Sequence, residues 1–152
     1  MARQRVTLSL QAYQEILTDI YTRPQIEACG LLLGRIEQEK HWHVCGAKAL
    51  RNIFQSPVYF EFAPEELLEA ELTYPEQIIG VYHSHPTGYR KASQTDRTNM
   101  QRVNVEQQIP WIWLIVCGPF EQSPTTQHPI LAYYHDAHAG LQHLSLTLEH
   151  HL

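Results

Sequence analysis

The chain has 152 residues and a net charge of −5, with its acidic residues scattered along it. A single domain of this size, expected over 1–152, buries roughly 70% of the surface its unfolded chain exposes and folds without staples. No basic run marks a nucleic-acid or anionic-membrane partner, and no window approaches the ~18 apolar residues that span a bilayer.

The N-terminal stretch Met1 to Leu10 holds two arginines with no long apolar segment behind them, unlike a secretory signal. The three cysteines, Cys29, Cys45 and Cys117, are odd in number and contain no C-x-x-C. That disfavours a disulfide framework and suits a reducing cytoplasm. Cys29 stands two residues after Glu27, but nothing local pairs it with a base. Ten histidines are many for the length; the terminal pair His150-His151 resembles a tag remnant and is given no functional weight.

In chain order, Val6, Leu8 and Leu10 alternate with polar residues and predict a half-buried strand. Tyr13, Ile16, Leu17, Ile20 and Tyr21 share one face of a helix, which Arg23-Pro24 ends. Cys29 to Gly34 is a buried strand. Glu37 to Lys40 turns it into a return strand carrying Trp42 and Val44. Val58 to Phe62 reads as extended. Pro64, Glu65 and Glu66 suit the first turn of a second helix, whose buried stripe is expected at Leu67, Leu68 and Leu72. Ile78 to His83 is a buried strand running into Ser84-His85-Pro86. Thr87 to Ala92 is a loop, and a helix runs from Ser93 to about Val103. Trp111 to Cys117 is an apolar strand, Gly118 to Pro129 a polar loop, and Ile130 to Tyr134 and Leu141 to Leu148 a final pair of strands. Strands and helices intermix while several strands follow short turns, so the sheet is mixed with helices packed on it.

The chemistry concentrates in His83-Ser84-His85-Pro86 and in Ser93-Gln94-Thr95-Asp96. In an extended segment, side chains two apart share a face. His83 and His85 therefore aim two imidazoles at one point, at a strand tip that Pro86 terminates. Gly88 lets the loop turn back, and Asp96 falls in the first turn of the next helix. Two imidazoles and a carboxylate make a three-ligand zinc site with a fourth position left for water. Taken alone, Ser93-x-x-Asp96 also reads as a capping box. His41-Trp42-His43 has the same H-x-H spacing, but no acidic residue follows it at comparable distance, and it reads as the solvent face of a hairpin.

H-S-H-P-T-G-x-x-x-A-S-x-T-D, with Glu27-Ala28-Cys29-Gly30 upstream, resembles the JAMM motif of the MPN+ zinc metallopeptidases, and the E-x-C-G-x-L-x-G stretch resembles their small bacterial type. Two departures are Ala92, where a proline often precedes the serine, and the neighbouring Lys91. The resemblance implies a cytidine-deaminase-like MPN fold: α/β, three layers α-β-α, with a mixed, largely antiparallel sheet and zinc at its edge. It implies His83, His85 and Asp96 as zinc ligands and Glu27 as general base toward a zinc-bound water. Ser93 is then the oxyanion donor. The implied reaction is hydrolysis of a peptide or isopeptide bond after the C-terminal glycine of a ubiquitin-like or sulfur-carrier protein. An extended Gly-Gly tail would add to a sheet strand beside the metal. Two other classes remain. A non-catalytic MPN scaffold would lack the ligand set. A nucleobase deaminase would need H-x-E with P-C-x-x-C, where this chain has serine between its histidines.

Overall fold

The computed structural model describes residues 4–38, 40–120 and 127–149. The N-terminal residues 1–3, one turn residue (Glu39), part of the Gly118–Pro129 loop (121–126) and the His150-His151 pair lie outside the described residues.

Val6 and Leu8 turn inward from β1 (Arg5–Ser9), as their alternation requires. Ser9 then caps α1 (Leu10–Thr22), its hydroxyl accepting from the Ala12 N–H at 3.0 Å. The face that α1 buries is Ala12, Ile16, Leu17 and Ile20, with Tyr13 and Tyr21 half-buried at its margins. Arg23 closes the helix and reaches further. It grips Asp19 through two hydrogen bonds, at 2.9 and 2.8 Å, and donates to the Cys29 and Leu50 carbonyls. Tyr82 donates to the same carboxylate at 2.7 Å. The end of α1 is thereby tied to three strands just before the chain reaches Glu27.

The expected hairpin of β2 (Cys29–Glu37) and β3 (His41–Leu50) forms, with a register shift between Leu33 and Gly34. β4 (Ile78–His85) lies between β2, antiparallel, and β5 (Ile112–Cys117), parallel. At Gly80 the approach of β5 leaves no room for a side chain, since a Cβ would strike the Ile112 carbonyl. β6 (Ile130–Asp136) and β7 (Gly140–Glu149) complete the antiparallel run. β1 runs parallel to both β3 and β7 and closes the sheet in the order β1-β3-β2-β4-β5-β6-β7.

Alternation along the strands separates two cores. Ile112, Leu114 and Val116 join an inner cluster with α1 that draws on every strand; Trp113, Ile115 and Cys117 join an outer one. The outer cluster is covered by α2 (Pro64–Thr73), by α3 (Gln94–Gln101) and by the π-helical segment Arg102–Glu106 that continues it. The α/β class and the helix–sheet–helix layering hold. The sheet differs from a flat layer in curling until its ends meet on β1, so β4 has a hydrogen-bonded neighbour on each side and the strand tip carrying the histidines is not at a sheet edge.

Two elements differ from expectation. In α2 the residues facing the sheet are Leu67 and Ala70, with Tyr74 beyond, at i, i+3 and i+7, while Leu68 and Leu72 are 58% and 75% exposed. The helix rests one narrow stripe on the outer cluster and turns its other leucines to solvent. Val58 to Phe62 forms no strand of the sheet; only Phe62 pairs, in a single bridge with Asn52. No helix among the described residues is long and apolar enough to cross a membrane.

Candidate metal centre

β4 presents Val81, His83 and His85 toward the outer cluster, and Pro86 stops it. The His85 carbonyl then accepts from the Gly88 N–H at 3.0 Å and the Gly118 N–H at 2.9 Å. Gly88 sits at φ +86°, a left-handed conformation that favours glycine, and returns the chain over the strand end. Ser93 opens α3 with a complete capping box: its hydroxyl accepts from the Asp96 N–H at 3.0 Å and its N–H donates to Asp96 Oδ2 at 2.9 Å. The cap therefore leaves the Asp96 carboxylate available as a candidate ligand. The same carboxylate faces both histidines, with Oδ1 3.1 Å from His83 Nε2 and Oδ2 3.1 Å from His85 Nε2. All three side chains are buried.

The two Nε2 atoms stand 3.2 Å apart. His85 Nδ1 lies 2.9 Å from the Tyr89 carbonyl, which only accepts, so Nδ1 carries the hydrogen. In the neutral ring Nε2 then offers a lone pair to a point already faced by a carboxylate and a second imidazole. Lone pairs gathered this way suit a shared cation, a proton or a metal ion. Ligand bonds of ~2.0–2.1 Å to zinc set tetrahedral edges of roughly 3.3–3.4 Å, close to the separations here. His83, His85 and Asp96 form a group that can hold a metal ion, and the Tyr89 carbonyl orients one ligand ring in the way metal-binding histidines are held. Phe60 stacks on His83, centroids 4.6 Å apart, and fixes the other. His83 Nδ1 is buried without a hydrogen-bond partner.

The charges agree with a cation-binding cluster. Burial works to raise the Asp96 pKa, but His83, His85 and the Ser93 N–H outweigh it and hold the carboxylate well below its usual range. Burial alone would lower the His85 pKa; the bond to Asp96 and the Tyr89 carbonyl raise it instead. Glu27 is different. Burial pushes it up to about 7 against the opposing influence of His83 and His85. It is 5% exposed, and with His85, Thr87, Tyr89, Ser93, Pro57 and Val58 it lines a cleft of about 220 Å³.

Residues that sequence reasoning did not single out hold Glu27 in place. Its N–H donates to the Ser56 carbonyl at 2.8 Å, and its carbonyl accepts from the buried Asn52 side chain at 3.0 Å. Asn52 also donates to the Tyr59 carbonyl and accepts from Phe54 and Glu61 N–H groups, so it organises the loop on the far side of the cleft. Ser84, between the two histidines, accepts from the Ala28 N–H at 2.8 Å while its own N–H donates to the Ala28 carbonyl. A single buried asparagine in a loop leaves no periodic trace in the sequence.

The sequence matches the family described as prokaryotic homologs of the JAB domain, Prok-JAB, over residues 9–129. This chain belongs to that family. The JAB-family chain is 34% identical to a desampylase of Pyrococcus furiosus over 110 residues, covering 70% of each protein. It is 32% identical to a desampylase of Haloferax volcanii over 105 residues, 64% of this chain and 73% of that one. Its fold is similar to the solution structure of protein DSY2949 from Desulfitobacterium hafniense, with a TM-score of 0.74 at 24% identity, over 97% of this chain and 94% of that one. The chain is thus a hydrolase of the JAMM type, and the metallopeptidase class expected from H-S-H-P and S-x-T-D stands.

Two smaller sequence readings are also resolved. Cys29 is buried, and burial drives its thiol up to about 12 despite the nearby Arg23, so it is no nucleophile at neutral pH. His41 and His43 do have an acidic neighbour: Glu37, across the hairpin rather than downstream, 3.2 Å from His43. The two rings are half-buried, not fully on the surface.

Proposed function

We propose that this chain is a zinc-dependent peptidase or isopeptidase, one catalytic domain over 1–152, that hydrolyses the bond after the C-terminal glycine of a ubiquitin-like or sulfur-carrier protein. The carrying observation is the tetrahedral-edge spacing of His83, His85 and Asp96 beside the buried carboxyl of Glu27. In this reading His83 and His85 bind through Nε2 and Asp96 through its carboxylate. Zinc held there supplies a Lewis acid and makes a water acidic enough to lose a proton near neutral pH.

The chain's own groups do the rest. Glu27 takes a proton at its carboxylate and later delivers one to the leaving amine. The Ser93 oxygen already accepts from the Asp96 N–H, which leaves its hydroxyl hydrogen to be donated to the oxyanion forming on the scissile carbonyl. Asn52 and Ser84 fix the backbone on either side of Glu27, so the base is placed before substrate arrives. A tail of small residues brings its carbonyl to the metal more readily than a bulky one.

Two desampylase relatives support a protein-modifier substrate. A cytoplasmic setting is part of the same proposal, as are the absence of nucleic-acid and membrane partners. Because β4 is paired on both sides, the tail is held by the cleft walls rather than by strand addition. The test is release of a single residue or short peptide joined after Gly-Gly on small bacterial carrier proteins, with linked diubiquitin alongside. Release from the carriers, stopped by chelator, is expected, with no efficient diubiquitin cleavage. Rapid diubiquitin cleavage with inert carriers would overturn the substrate and keep the peptidase.

A further inference from the structure

We propose that Glu37, His41 and His43 form a second metal site, on the outer face of the β2–β3 hairpin, for a late first-row divalent ion such as zinc. Trp42 and Val44 point into the inner core, so His41 and His43, alternating with them, share the opposite face of β3. The register sets Glu37 opposite His41 and Arg35 opposite His43. One ligand atom from each of the three lies within 4.8 Å of the others. His43 Nε2 is 3.2 Å from Glu37 Oε1 and is buried without a hydrogen-bond partner, although its ring is packed 3.8 Å from that of His41. Two imidazoles and a carboxylate suit zinc, copper and nickel rather than magnesium or calcium.

The surroundings restrain one ring and leave the site reachable. Thr7 Oγ1 is 2.6 Å from His41 Nε2 and restrains that ring. Arg35 competes for Glu37 Oε1 at 3.1 Å, but the pair is 61% and 50% exposed and such exposed pairs contribute little. The site is independent of the first. Cys29, at one end of β2, pairs with His83, while Glu37 is at the other end. At a rise of ~3.3 Å per residue that strand separates the two clusters by roughly 25 Å.

The test is equilibrium dialysis of the full chain against buffered zinc, followed by elemental analysis, with His150→Ala and His151→Ala in every sample. Two zinc ions per chain are expected, falling to one in His41→Ala/His43→Ala with turnover unchanged. His83→Ala/Asp96→Ala should also hold one, which separates this site from the catalytic reading. Glu37→Gln, at an exposed position, serves where the double variant fails to fold and should likewise lose one ion. A single zinc in the parent protein, or two retained after both His41→Ala/His43→Ala and Glu37→Gln, overturns the second site.

Discussion

Glu27 owes its usefulness to where it is rather than to what it touches. Burial raises its pKa from 4.5 to about 7, so in the metal-free protein its neutral form is the one the fold prefers. Its contribution to stability is full below about 4.5 and is lost as pH rises through about 7. Glu27→Gln supplies a permanently neutral isostere. In chelated protein it should match the parent at pH 4 and exceed it at pH 8 by up to about 3 kcal/mol, read from denaturant melts at both values. Asp96 carries the opposite sign: held low, it stabilises above its ordinary range and loses that contribution as pH falls. The same Glu27→Gln protein should retain zinc by elemental analysis and lose about 10²- to 10⁴-fold in turnover, the usual contribution of a general base. Near-native turnover in a folded variant would remove Glu27 from the mechanism. These residues were legible in the sequence because H-x-H, Pro86, Gly88 and S-x-x-D occur in one stretch. Glu27 lies more than fifty residues away and was reachable only through the family resemblance. That Asn52 and Ser84 seat it was not legible, since nothing in a one-dimensional pattern says which backbone a buried polar side chain will meet.

At the scale of elements, α3 and the end of α1 carry the most consequence. Ser93 caps α3 and also faces the cleft, so Ser93→Ala combines two losses. The cap is worth about 1 kcal/mol, which should appear as a modest fall in Tm. A missing oxyanion donor costs on the order of 10²-fold in turnover. Asp96→Asn would keep a side-chain oxygen for the cap while weakening metal retention, and the pair of variants separates helix from chemistry. On the other face of β4 from the histidines, Asp19 joins Arg23 and Tyr82 in a largely buried network. Asp19→Ala leaves a guanidinium without its partner and should cost about 3 kcal/mol in chemical melts, while zinc stoichiometry stays unchanged. Strand and helix positions followed from periodicity with small shifts. The α2 stripe did not, because Leu68 and Leu72 look apolar in sequence while the helix meets the sheet only along Leu67 and Ala70.

For the molecule as a whole, the two cores meet across β4, and the candidate ligands come from β4 and from α3 packed over it. A metal bound to both elements stabilises the native state alone, so saturating zinc should raise Tm and chelator should lower it without unfolding the protein. Unfolding on chelation at room temperature would mean the metal is part of the fold rather than an addition to it. The sheet order was the least legible feature. Contiguous apolar runs mark strands, but no local signal says that β1, the first strand, will bridge β3 and β7. That closure bears on the company an enzyme of this kind keeps. A protein that handles loose, extended tails meets many segments able to dock onto an unpaired strand and grow into aggregates. With β1 bridging the ends of the ring, the described strands offer such segments no open ladder. On the proposed function, an extended terminus would be received in the cleft and cut beside a sheet that offers no open ladder to seed a fibre.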